Sequence, residues 1–200
     1  MFVIYGCDKP KTSQNGEKFE IIKGDKKLDI FSGVYSFKNK EANRLNEEGL
    51  TFIRKDDYDK AEIKFIEAYR LEPDNSTILN NLGNIYQKKG THRMAMEYYT
   101  ESYNLSDSTY FPAAFNIGIT YNYMGEYDKS LRVLEYIISQ TKNKEKQTIV
   151  KYEIANVMIK QNKCSEAKSL YESIKDDLNN YPEYKDDTDK FEKKMKNCVQ

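Results

Sequence analysis

The sequence predicts an all-α protein, an α-solenoid of about four helix-turn-helix repeats closed by a C-terminal capping helix. Three observations predict it. Gly49, Gly83, Gly118 and Ala155 recur at spacings of 34, 35 and 37 residues. Ala61, Ala95, Ser130 and Ala167 repeat the same spacings, and so do Phe65, Tyr99, Leu134 and Tyr171. Three columns in register describe one structural unit used four times. Offsets inside the unit stay constant, so the extra residue near Tyr110 and the three between Lys142 and Gln147 are expected as loop insertions between units.

The first helix of each unit follows from what surrounds its small residue. Phe52, Tyr86, Tyr121 or Met158 comes three positions later, and Leu82, Ile117 or Ile154 precedes it in units two to four. Such offsets put a stripe on one helix face. A polar break follows: Lys55-Asp56-Asp57, Lys88-Lys89-Gly90-Thr91, Gly125-Glu126 and Asn162-Lys163. The second helix then starts at Tyr58, His92, Tyr127 or Cys164, with its small residue three positions on and its bulky one seven on. The small residues allow the two antiparallel helices to approach, and the aromatic ones fill the space beside them. Beyond unit four, Tyr184, Phe191, Met195 and Val199 form the stripe of a charged helix, expected over 183–200, that shields the last apolar face.

Composition excludes several functions. The 32 basic and 32 acidic residues cancel, which removes the general electrostatic case for binding nucleic acid. A single His and three dispersed Cys leave no metal site of the usual spacing and no Ser–His–Asp triad. No catalytic residue, cofactor or metal is assigned, and the expectation is a protein that is not an enzyme. His92 aligns with Tyr58 and Tyr127 in a packing column.

The repeat resembles the tetratricopeptide repeat. Repeat one, 42–75, carries the motif in Leu45, Gly49, Phe52, Tyr58, Ala61, Phe65, Ala68 and Pro73. Repeat two, 76–109, has the clearest first helix, Asn81-Leu82-Gly83-Asn84-Ile85-Tyr86, with Asp107 where the terminal Pro would stand. Repeat three, 111–144, substitutes Ser130 and Ile137 in the Ala positions, and repeat four, 148–181, substitutes Ala155 for Gly. The resemblance implies a right-handed solenoid over 39–182 and a protein-binding scaffold or adaptor whose partner is a protein or peptide.

It also implies where that partner lies. The first helices line a concave surface, which assigns Asn46, Asn80, Asn84, Gln87, Phe115, Asn116, Ile119, Asn122, Tyr152 and Asn156 to the groove. Asn offers a donor and an acceptor together and so can read an extended backbone of any sequence. Phe115, Ile119, Tyr152 and Ile159 would add apolar area. The other reading is a groove covered by residues 19–37 of the same chain. A variant of the fold grips chaperone C-terminal carboxylates with Lys and Arg beside two Asn; Asn84 and Asn116 match that pair, but Asn80, Ile149 and Glu153 occupy the cationic positions, so a clamp of that kind is not expected.

At the other end, Ile4-Tyr5-Gly6-Cys7 resembles a bacterial lipobox. It implies that Cys7 is lipidated, that 1–6 is the remnant of a truncated signal peptide, and that 7–38 is a tether with extended segments at Phe19–Ile22 and Leu28–Phe31. Anchoring would then be by lipid rather than by a transmembrane helix, in a bacterial cell envelope. The alternative is a cytoplasmic adaptor or regulator in which Phe2 to Tyr5 is a short apolar end. Cys164 starts the last repeat's second helix and Cys198 ends the capping helix, so antiparallel neighbours would allow a disulfide in an oxidising compartment. Otherwise Cys164 is a packing residue.

Overall fold

The computed structural model describes residues 37–106, 109–180 and 185–198. Cys7, the segment 1–6 and the extended segments at 19–22 and 28–31 lie outside the described residues, as do Tyr184 and the final two residues. Every element among the described residues is helical. Four antiparallel pairs follow one another: α1 (Lys40–Ile53) with α2 (Tyr58–Leu71), α3 (Ser76–Lys88) with α4 (His92–Leu105), α5 (Phe111–Tyr123) with α6 (Tyr127–Gln140), and α7 (Lys144–Lys160) with α8 (Cys164–Glu172). A short α9 (Lys175–Leu178) and the last helix, α10 (Lys185–Cys198), complete the array.

The glycine and aromatic columns meet inside each pair. A Cβ on Gly49 would lie 2.6 Å from the Phe65 ring, one on Gly83 2.5 Å from the Tyr99 ring, and one on Gly118 2.8 Å from Leu134. These glycines are required for space. Ser130 fills its Ala position without cost to the core because its hydroxyl donates to the Gly118 carbonyl at 2.7 Å. Phe65, Tyr99 and Leu134 are fully buried, and Ile78, Leu82, Ile85, Ile117 and Ile137 fill the layers between successive pairs.

A fourth column is built from backbone conformation. Asp56, Gly90, Gly125 and Asn162 all sit at positive φ, between 56° and 77°. Each reverses the chain between the helices of a pair. The next residue's N–H returns to the carbonyl five positions back: Asp57 to Phe52, Thr91 to Tyr86, Glu126 to Tyr121 and Lys163 to Met158, at 2.9 to 3.0 Å. The first helix is thereby closed by the residue that opens the second. Gly90 and Gly125 face open space, so they serve the backbone rather than packing.

Two features depart from the sequence expectation. The residues inserted between Lys142 and Gln147 are not all loop, because Asn143 caps a helix that already begins at Lys144; its side chain accepts from the Lys146 N–H. The insertion therefore lengthens α7. In repeat four the second helix stops at Glu172 and resumes as α9, with Ile174 and Leu178 buried.

The start of the array is held by a carboxylate. Glu72, almost wholly buried, accepts from the Lys38 and Asn39 N–H groups at 3.1 and 3.0 Å and from the Asn75 amide at 2.9 Å. Burial pushes its carboxyl up, but these hydrogen bonds outweigh burial and leave it below the usual glutamate value. Its stabilisation is complete above that usual value and is lost as pH falls through the lowered one. Glu72→Gln, which turns an amide N–H toward three donors, should cost about 1–3 kcal/mol at neutral pH. In melts recorded at decreasing pH, the gap between the variant and the parent should narrow below about pH 4.

Candidate functional site

The inner helices α1, α3, α5 and α7 present the groove residues side by side, and the amides among them bond across repeats. Asn81 donates to Asn46 at 2.8 Å. Asn116 donates to both Asn80 and Asn84, each at 3.0 Å. The Thr120 hydroxyl sits 2.6 Å from the Gln87 side-chain oxygen and 2.7 Å from the Asn116 carbonyl. A seam of neutral amides thus joins α1 to α3 and α3 to α5.

The Tyr99 hydroxyl reinforces the seam from the core side by donating to Asn84 at 2.8 Å. Burial raises Tyr99 far above an ordinary phenol, so it remains a protonated donor. The oxygens of Asn80 and Asn84 are therefore spent inside the protein. Their amide N–H groups find no partner among the described residues; Asn80, like Asn46, is buried, whereas Asn84 is half-buried at the groove surface and is the one of the three within reach of a ligand. The arrangement offers hydrogen-bond donors to an incoming carbonyl.

Beside the donors lies apolar surface. Phe115 and Ile119 are half-buried, and the Phe115 ring stacks on Phe111 with centroids 5.6 Å apart. The Lys146 ammonium stands 4.8 Å above the Phe111 ring, and burial holds its pKa below the usual lysine range. Asn122 is half-buried further along α5.

At the far end the groove is covered. Tyr152 is 5% exposed beneath Phe191 of α10, with ring centroids 5.6 Å apart. Asn156 donates to the Tyr152 carbonyl at 3.3 Å and accepts from Lys194 at 3.2 Å. The α10 helix thus buries Tyr152 and leaves Asn156 half-buried. The structure also joins Cys164 to Cys198 by a disulfide, with Cα atoms 5.7 Å apart.

His92 stacks on Tyr123 at 5.3 Å, an inter-repeat packing contact that fits its column. Among the described residues, no group of three His, Cys, Asp or Glu side chains is arranged to hold a metal ion. No described helix is long and apolar enough to cross a membrane. What the sequence pattern did not announce is that the groove Asn side chains face the next repeat; the residues six positions into repeats two and three, Asn81 and Asn116, are the signal that pairs with them.

Comparison with known proteins agrees with this geometry. Residues 76–109 match the tetratricopeptide-repeat family model. Over 92 residues the chain is 34% identical to "Photosystem I assembly protein Ycf3" of Acaryochloris marina, covering 44% of this chain and 55% of that protein. The Ycf3 of Rippkaea orientalis is 36% identical over 93 residues, 44% of this chain and 53% of that one. The chain spans about half the length of these curated relatives. Among solved structures, a putative kinesin light chain with TPR-like repeats from Podosopora anserina superposes with a TM-score of 0.58 at 13% identity, over 67% of this chain and 73% of that one. A tetratricopeptide repeat protein from Parabacteroides merdae gives 0.55 at 22% identity, over 68% and 53%. The first TPR of Spaghetti (RPAP3), bound to an HSP90 peptide, gives 0.51 at 18% identity, over 58% and 92%. At these identities the structural likeness concerns the fold: an α-solenoid of tetratricopeptide type.

Proposed function

We propose that this tetratricopeptide-repeat array is a non-catalytic scaffold that holds an extended peptide or a partner helix along α1, α3 and α5. The observation that carries this is the half-used amide row. Half-buried Asn84 keeps its donor at the groove surface while Asn116 fixes its orientation, so the donor is pre-positioned and loses little freedom on binding; Asn80, buried beside it, holds the same geometry from below. A peptide main chain supplies acceptors at matching intervals, and Phe115 with Ile119 supplies apolar area next to them. An assembly role of this general kind is supported by the likeness to two proteins named for assembly, although this chain spans only part of each.

Replacing Asn84 and Asn116 together by alanine should weaken a partner captured from the native host by about tenfold or more, which is ~1.4 kcal/mol, with helicity retained in circular dichroism. Undiminished capture would remove the groove from the account.

The second part of the proposal is the tether: a lipid on Cys7 holds the scaffold to a bacterial envelope membrane. What supports it is the Ile4-Tyr5-Gly6-Cys7 motif and the polar, Lys-containing stretch after it. Intact mass and membrane fractionation from the native host test it. A mature chain beginning at lipidated Cys7 is the expected result; an unmodified soluble chain retaining Met1 would make the protein a cytoplasmic adaptor and leave the groove proposal standing.

A further inference from the structure

The helix α10 is unlike the others in composition. Across KDDTDKFEKKMKNC it buries two large apolar side chains, Phe191 and Met195. A helix this short and polar is marginal on its own in water. It is held by the Phe191 ring between Tyr152 and Tyr171, at 5.6 and 4.4 Å, by Glu192 against Lys175 at 2.7 Å, and by Lys194 on Asn156. It is also held covalently, since Cys198 at its end is joined to Cys164 at the start of α8.

The seat of α10 repeats the relation between consecutive inner helices. Phe191 meets Tyr152 and Lys194 meets Asn156 much as Asn116 meets Asn80 and Asn84. The surface beneath α10 is therefore a docking face for one more helix.

We propose that this slot, lined by Tyr152, Asn156, Tyr171 and Lys175, receives an amphipathic helix from another protein once the Cys164–Cys198 bond is reduced. The occupant's chemistry is set by what the slot holds now: an aromatic residue, a carboxylate at the next position to face Lys175, and a basic residue two positions further to face Asn156. Opening is a thiol–disulfide exchange with a dithiol reductant. Its thiolate attacks one sulfur to give a mixed disulfide, and its second thiol releases that sulfur. Cys164 and Cys198 each gain one proton, and the reductant leaves as its own disulfide. Both cysteines are half-buried at the rim, within reach of such a reagent. Without the bond, α10 competes only through its tethered effective concentration. The slot lies beyond the amide seam, so its failure and the failure of the groove proposal are separable.

The test uses the full chain and a fluorescent peptide of residues 185–198 bearing Cys198→Ser, followed by anisotropy. The oxidised chain should not bind it. With dithiothreitol the chain should bind, and the full-length Phe191→Ala chain, whose own helix competes poorly, should bind about tenfold more tightly. The same peptide with Phe191→Ala should not bind. Equal binding in both redox states, no binding to the reduced Phe191→Ala chain while it keeps its helicity, or indifference to the peptide's aromatic residue would each overturn the proposal. A reduced chain that dimerises on its own, and that the peptide dissociates, would overturn a foreign helix as occupant in favour of a second copy.

Discussion

Gly83→Leu is expected to lower stability by more than about 2 kcal/mol, about 4 to 8 °C in melting temperature for a chain of this size. Even a bare Cβ at this position would lie 2.5 and 2.6 Å from two carbons of the Tyr99 ring. That ring cannot retreat, since Tyr99 is fully buried and its hydroxyl is bonded to Asn84. Leucine adds three further carbons to the collision, so α3 and α4 must separate and the Tyr99–Asn84 bond at the groove must lengthen or break. Melting followed by circular dichroism measures the effect. An unchanged midpoint would mean that the glycine column does not mark the closest approach of paired helices.

Phe65→Ala should cost about 3–5 kcal/mol, the largest single effect expected in the array. Phe65 is completely buried and fills the space above Gly49. Removing its ring leaves a cavity between α1 and α2 that rigid helices cannot close. The same geometry predicts a reversal of sign. Gly49→Ala in the parent forces a methyl to 2.6 Å from the ring and destabilises. In the Phe65→Ala background that methyl enters the cavity, and the gain in helix propensity of about 1 kcal/mol is realised. A double-mutant cycle should therefore show strong coupling, whereas additive effects would place the two residues out of contact.

These residues show what was legible in the sequence. Gly49 with Phe65 and Gly83 with Tyr99 were visible as columns because packing demands one small and one large residue at fixed offsets in every unit. The second helices begin at the breaks the pattern marked, since a polar run interrupts a helical stripe. The amides were harder to read. A sequence places Asn80 and Asn84 on an inner face, but it does not say that Asn116 will take their oxygens, because that choice depends on the offset between neighbouring helices. Tyr152 was hidden for a related reason: the stripe of α10 announces a helix that shields the last apolar face, but not that Phe191 will settle on Tyr152 of the inner helix. The turn residues Asp56 and Asn162 share a backbone conformation with Gly90 and Gly125, yet their side chains differ, so only dihedral angles reveal the column.

The seam between the first three inner helices is uncharged, and this sets how the protein responds to its medium. Ion pairs that link repeats elsewhere, such as Lys89 with Asp59 at 2.7 Å, stand at the surface and weaken as dissolved ions accumulate around them. Bonds between neutral amides have no such dependence, and none of Asn46, Asn80, Asn81, Asn84 or Asn116 gains or loses a proton at any ordinary acidity. The spacing of the inner helices is accordingly buffered against brine and acid alike. Any salt sensitivity in what the groove holds must then come from charged side chains beside the seam, such as Lys146, and from the charges its partner brings.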